Sequence, residues 1–145
     1  MQLAPMRFLR GRLRLPCLVM NEPAINPSTH VLTVADFNFN PPSLLPGQLQ
    51  SLAASHFKVT GAYKALEGER DQNCRITTAD GRKFVLKVSS AGEDPAVVDF
   101  QVQALLHIAE QDAPLPVPRM VRGSDGEMVY WTSSDKGKHM VRMLT

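Results

Sequence analysis

The sequence predicts an α+β domain: an antiparallel sheet of about five strands with one packed helix, plus a short N-terminal helix. Three observations predict it. Short alternating segments between Phe57 and Ser89 are broken by tight-turn signals, above all Asp80-Gly81, and two hairpins in succession make an antiparallel meander. One longer segment, opened by Asp94-Pro95, has helical periodicity. Short strand-like segments separated by further glycine turns follow it, and this element order suits helices packed on an antiparallel sheet.

The elements follow from local chemistry. The first twenty residues carry Arg7, Arg10, Arg12 and Arg14 and no acid. They read as a basic disordered extension, with Met20 as the favoured true start. A presequence is the competing account, weakened because Pro16 interrupts the apolar run from Leu15 to Met20. Residues 21–45 form a Pro-rich leader holding Pro23, Pro27, Pro41 and Pro42, which propagates neither helix nor central strand. The leader is expected to lie against the domain through Val31, Leu32, Val34, Phe37 and Phe39. The domain itself is predicted over residues 46–145. Pro46 suits a first helical turn, and Leu49, Leu52 and Ala53 give the helix from Gly47 to about His56 an apolar side.

Phe57, Val59, Gly61, Tyr63 and Ala65 alternate, which predicts a first strand over Phe57–Leu66. Cys74–Thr78 and Lys83–Ser89 are the next two, joined at Asp80-Gly81 by an expected type I′ turn with positive φ at both central residues. The helix is predicted from Pro95 to Gln111, with Val97, Phe100, Ala104, Leu105 and Ile108 as its apolar stripe. Leu115-Pro116-Val117-Pro118 extends away from it. Arg119–Arg122, Glu127–Thr132 and His139–Leu144 are the remaining strands, with turns at Asp125-Gly126 and Lys136-Gly137-Lys138. No internal repeat is visible.

Composition removes several function classes. The net charge of +2 comes from 16 basic and 14 acidic residues. The four arginines of the first twenty positions supply the excess, so the domain is slightly acidic and does not suit a nucleic-acid surface. Cys17 and Cys74 make no disulfide framework or zinc site, and a cytoplasmic, reducing setting is expected. His30, His56, His107 and His139 share no metal-ligand spacing. No apolar run is long enough for a membrane span.

The chemistry-bearing residues are few. Gly68 to Asn73 joins the first two strands. A triphosphate needs backbone N–H groups in a concavity, a glycine for close approach and nearby donors. Gly68 offers the approach, and Arg70 and Asn73 the donors. Glu69 and Asp71 oppose phosphate, and either pair with Arg70 or brace the loop from behind. Read alone, the loop is better taken as a charged, solvated hairpin tip, since a single glycine is weaker than a full G-x-G-x-x-G. In Phe84-Val85-Leu86-Lys87-Val88, alternation sets Val85 and Lys87 on one face, able to cover a flat ring and reach phosphate oxygens. The competing reading of Lys87 is a surface lysine on a half-buried strand. Gln101 lies on the predicted stripe between Val97 and Leu105, with Lys87 as its natural partner; bonding to backbone or water is the alternative.

Together, Glu67-Gly68-Glu69-Arg70-Asp71-Gln72-Asn73, Phe84-Val85-Leu86-Lys87-Val88, Asp99-Phe100-Gln101 and Leu115-Pro116-Val117-Pro118 resemble the N-terminal lobe of the aminoglycoside phosphotransferase-like family. The hydroxylysine-kinase-like branch is nearest, including modules fused ahead of class III, pyridoxal-phosphate-dependent aminotransferases. The resemblance covers about Pro46 to Thr145. It implies a protein-kinase-like N-terminal lobe and ATP as cofactor. Gly68, Glu69, Arg70 and Asn73 would belong to the loop over the ATP phosphates, Lys87 would contact the α- and β-phosphates, and Val85 would touch the adenine. Gln101 falls where many kinase-like proteins place a glutamate that pairs with this lysine, and Met143 would enter the interlobe hinge at the adenine edge.

The chain carries no H-x-D-x-x-x-x-N segment, the pattern that supplies a catalytic Asp and a magnesium ligand in kinases. No catalytic or metal-ligating residue is therefore assigned, and Mg2+ is expected only in a complete enzyme. The expectation is an ATP-binding lobe truncated at the interlobe hinge, inactive alone, whose acceptor is an amino-acid-like or aminoglycoside-like alcohol. Its partners would be nucleotide and a C-terminal lobe or aminotransferase module encoded downstream, with neither nucleic acid nor membrane. The alternative is a non-catalytic, pseudokinase-like interaction module.

Overall fold

A computed structural model describes residues 41–111 and 115–145. The expectations for the basic extension, and for the leader up to position 40, lie outside these residues. The elements run α1 (Pro46–Phe57), β1 (Ala62–Leu66), β2 (Gln72–Thr77), β3 (Lys83–Val88), α2 (Pro95–Glu110), β4 (Tyr130–Ser134) and β5 (Gly137–Leu144). The five strands form one sheet in the order β1-β2-β3-β5-β4, antiparallel at every pairing. The predicted α+β class is the observed one.

Helix α1 starts with Pro46 at its first turn, where a missing N–H costs nothing. The Gln48 side chain accepts the Leu45 N–H at 2.7 Å. The helix runs through Phe57, which the alternation assigned to a strand. Leu49, Ala53 and Phe57 are its buried residues, spaced four apart, so Phe57 completes a helical stripe. Lys58 then turns the chain with a left-handed φ of 57°, and β1 begins only at Ala62. The β2–β3 turn also differs from expectation. Gly81 has a φ of 84°, while Asp80 does not have positive φ. The Gly81 N–H bonds the Thr78 carbonyl and the Thr78 N–H bonds that of Arg82, so the loop is longer than a two-residue I′ turn.

Alternation gives the sheet two faces. Cys74, Ile76, Phe84, Leu86, Val88, Val141 and Met143 join Leu49, Ala53 and Phe57 of α1 in the main core. Tyr130 extends this core. It stacks on His56 at 4.0 Å and meets Phe57 edge-on at 5.2 Å, and its hydroxyl donates to Asp125. The chain before α1 is tied to the same sheet. Gln72 accepts the Leu44 N–H and donates to the Leu44 carbonyl, each at 2.9 Å.

Helix α2 is capped by Asp94, which accepts the Ala96 N–H at 2.8 Å. Its buried residues are Val98 and Val102. The predicted stripe is one residue out of phase, since Phe100 is 72% exposed and Val97 is 42% exposed. The predicted strand over Arg119–Arg122 reduces to a single bridge, Met120 to Leu144.

Two measurements check this packing. Val102→Ala should lower unfolding free energy by about 2 kcal/mol, whereas Phe100→Ala should stay within about 0.5 kcal/mol; the reverse order in denaturant melts would restore the stripe read from sequence. The Tyr130 hydrogen bond holds the Asp125 carboxyl below the ordinary range. Burial, then the Asp125 bond, pushes the Tyr130 hydroxyl up to about 12. A lowered carboxyl favours the folded state above its unfolded pKa and loses that effect as pH falls through the folded value. A raised hydroxyl favours it below about 10 and loses that effect as pH climbs through the folded value. The melting-temperature gap between wild type and Tyr130→Phe should therefore be widest between about pH 5 and 9 and narrow at either extreme. A gap that grows toward acid would contradict the pairing.

Candidate functional site

Sheet register builds the site on the face opposite the α1 core. Asn73 pairs with Lys87, and Lys87 pairs with Arg142, so these side chains form one row across β2, β3 and β5. The next row along the same face is Arg75, Val85 and Leu144. An open depression of about 360 Å³ is lined by Gly68, Glu69, Arg70, Asn73, Lys87 and Gln101. The loop, the strand lysine and the helix glutamine named from sequence thus converge. Asp71, Glu93, Val97 and Arg142 also line it.

The pairings differ from those expected. Lys87 Nζ lies 3.2 Å from Asp71 Oδ2, so its partner is the loop acid. Gln101 Oε1 accepts from Arg142 Nη2 at 2.7 Å. Arg70 Nη2 donates to Glu93 Oε2 at 3.0 Å, not to a neighbouring loop acid. A charged pair outcompetes a charge–amide pair where both can reach, and Asp71 directly precedes the strand that neighbours Lys87. The resulting clamp ties the β1–β2 loop to β3 through Asp71 and to the start of α2 through Glu93.

Arg142 sits deepest, only 5% exposed. Burial pulls its pKa down, and the Asp71 and Glu93 charges oppose that. An arginine nonetheless remains protonated in proteins. Asp71 Oδ2 is 3.9 Å from Arg142 Nη2, so one carboxylate serves two cations. Buried side-chain atoms without a hydrogen-bond partner include Arg142 Nη1 and Asn73 Oδ1. Gly68 is required by space. A Cβ there would lie 2.5 Å from the Asp71 carbonyl oxygen and 2.6 Å from Asn73 Nδ2, so a side chain would push the loop off Asp71 and Asn73.

Two residues named from sequence lie apart from the depression. Val85 is half-buried in the next row. Met143 is fully buried in the α1 core, because it pairs with Leu86 rather than lying on the Lys87 face. Its carbonyl accepts the Val121 N–H at 2.9 Å, which occupies the backbone edge expected to meet an adenine. Arg142 was missed, although a lone arginine in His139-Met140-Val141-Arg142-Met143-Leu144 is itself a signal: a charge in an apolar strand needs a purpose or a partner.

The residues present fit a polyphosphate. The unpartnered Nη1 of Arg142 lies in the same strand row as Lys87, and both cations line the depression. Among the described residues no group of three His, Cys, Asp or Glu side chains is arranged to hold a metal ion, and no helix is long and apolar enough to cross a membrane.

The Asp71 clamp predicts a ranking of stabilities. Asp71→Ala leaves a buried guanidinium without its nearest carboxylate and should cost about 3 kcal/mol. Arg70→Ala, in a pair whose arginine is half-exposed, should cost about 1 kcal/mol or less. Equal losses in urea unfolding would refute the shared-carboxylate account.

A sequence model of the phosphotransferase enzyme family, APH, matches residues 62–143, more than half of the chain. No curated protein matches significantly. Among solved structures, a microcompartment-associated aminopropanol kinase superposes with a TM-score of 0.56 at 16% identity, over 68% of this chain and 30% of that one. Amicoumacin kinase hAmiN, determined with AMP-PNP, Ca2+ and Ami, superposes with a TM-score of 0.56 at 12% identity, over 70% of this chain and 30% of that one. At these identities the likeness concerns fold: the five-stranded sheet with its helices is that of a kinase-like N-terminal lobe. The chain spans under a third of the length of either kinase.

Proposed function

The chain belongs to the phosphotransferase enzyme family, and from that premise we propose that residues 46–145 are the ATP-binding lobe of a small-molecule kinase. The observation that carries this reading is the convergence of Gly68, Asn73, Lys87 and Gln101 on one depression. ATP bound there would supply an activated phosphoryl group. The chain's residues would hold it: Gly68 lets the loop pack closely on Asp71 and Asn73, Lys87 neutralises the phosphates, and Asp71 keeps the Lys87 ammonium in place. Arg70 and Glu93 fix the loop against α2, and Val85, on the same face as Lys87 in the next row, would touch the adenine.

Transfer itself needs a group to orient the acceptor hydroxyl and ligands for magnesium. No H-x-D-x-x-x-x-N segment that would supply them occurs in the 145 residues, so our reading assigns these residues the nucleotide-holding role alone. The acceptor in our reading is a hydroxyl on an amino-acid-like or aminoglycoside-like molecule, as in the hydroxylysine-kinase-like branch. This chain alone should bind nucleotide without turning it over, in a cytoplasmic setting.

The competing reading, a non-catalytic interaction module, draws on the exposure of Val97 and Phe100 on α2, an apolar pair available to a partner. Calorimetric titration separates the two. The nucleotide reading expects ATP to bind the full chain and Lys87→Ala to weaken it about tenfold or more, the loss of one charge-assisted contact. Absence of binding at millimolar ATP, or affinity indifferent to Lys87→Ala, would sink it. No ATP turnover is expected from the purified chain, and measurable phosphorylation of a small hydroxylated amine would overturn that.

A further inference from the structure

Arg142 is the deepest charge at the site, and the nucleotide reading gives it no task. It stands directly opposite Lys87 in the sheet register. Two like charges on facing positions of neighbouring strands repel, and a buried cation is retained only with compensation. The compensation is partial. Asp71 lies 3.2 Å from Lys87 and 3.9 Å from Arg142, Gln101 is neutral, and Glu93 is engaged with Arg70. Asp71 is thus the one carboxylate within 4 Å of both cations, Glu93 acts on Arg142 from farther off, and across the depression Arg70, Lys87 and Arg142 face Glu69, Asp71 and Glu93. A guanidinium carries five donors in a planar fork. Nη2 is held by Gln101, while Nη1 is buried without a partner. Asn73, next in the row, has a buried amide oxygen in the same condition, and rotation of its amide would turn a donor toward an anion.

We propose that Arg142 is a second phosphate-binding cation, acting beside Lys87 on one phosphoryl group of a polyphosphate. The inference deepens the nucleotide reading, on which it rests for the identity of the ligand. A phosphoryl oxygen replaces the longer Asp71 contact, the one to Arg142. That contact is to Nη2; the shorter one keeps Lys87 in place, and Nη1, the unpartnered end of the same fork, is the second donor offered to the phosphate. The fork geometry suits phosphate where a lysine offers only a point charge. Arg142 therefore selects for phosphate shape as well as charge.

The test uses the full chain, with pyrophosphate and ATP as probes in calorimetry and with ¹⁵N spectra of the arginine side chains. Pyrophosphate should bind wild type and shift the Arg142 guanidinium signal. Arg142→Gln should weaken it by about tenfold to a hundredfold, and Arg142→Lys should recover only part of the loss. An arginine that merely props up Asp71 would leave the guanidinium signal unmoved, which overturns the proposal. Binding of pyrophosphate without ATP would end the nucleotide reading and leave this inference standing. Equal ATP binding by wild type and Arg142→Gln would do the reverse. Binding of neither probe by wild type would refute both. Where Arg142→Gln does not fold, the wild-type guanidinium signal decides alone.

Discussion

Two cations fixed side by side on adjacent strands require an anion, and the site of this protein depends on how Asp71 meets that need. Lys87 and Arg142 are held opposite each other by the β3–β5 ladder, a backbone arrangement that neither side chain can relax. Asp71 reaches both from the loop. That one carboxylate ties the loop to β3 and lies beside the buried guanidinium of β5. In many kinases the lysine partner is a glutamate on the helix. Here the helix offers Gln101, a neutral amide, and the acid comes from the strand-to-strand loop.

The two faces of the sheet divide the labour. The face under α1 is apolar and closed, with Ile76, Leu86, Val141 and Met143 fully buried. The face under α2 carries charge and an open depression. Strand alternation lets a rigid core and a polar site share the same residues in sequence: Val88, Leu86 and Phe84 point one way, Lys87 and Val85 the other. The site is built on strands that the core has already positioned, so its precision comes from burial on the opposite side.

Much of this was legible in the sequence because it rests on local chemistry. Asp94-Pro95 announces a helix start by capping and proline geometry, and Asp80-Gly81 a turn by backbone freedom at glycine. Phe57 misled because positions 49, 53 and 57 fit a helix while 57, 59 and 61 fit a strand; packing of α1 on the sheet decided between them. The α2 stripe slipped by one residue because Val97 and Val98 are adjacent, and either phase is apolar until a partner surface selects one. At the site, Gly68, Asn73, Lys87 and Gln101 were recognisable by type and order. Their pairing was not, because the choice of Asp71 over Gln101 by Lys87 depends on a cross-strand register that local sequence does not contain. Arg142 stayed hidden for the same reason.

Gln72 and Asn73 are consecutive in β2 and face opposite ways. Gln72 ties down the segment before α1 through both ends of its amide, and Asn73 stands in the row with Lys87. This adjacency constrains how the gene can change length. An insertion among residues 67–70 leaves the two faces of β2 as they are, although it moves Gly68 and Arg70 off their contacts. A single inserted or deleted residue inside β2 would exchange the two faces, turning the tether toward the depression and the site residue toward the tether. The spacing from Gln72 to Thr77 is therefore the length that descendants of this chain should keep invariant.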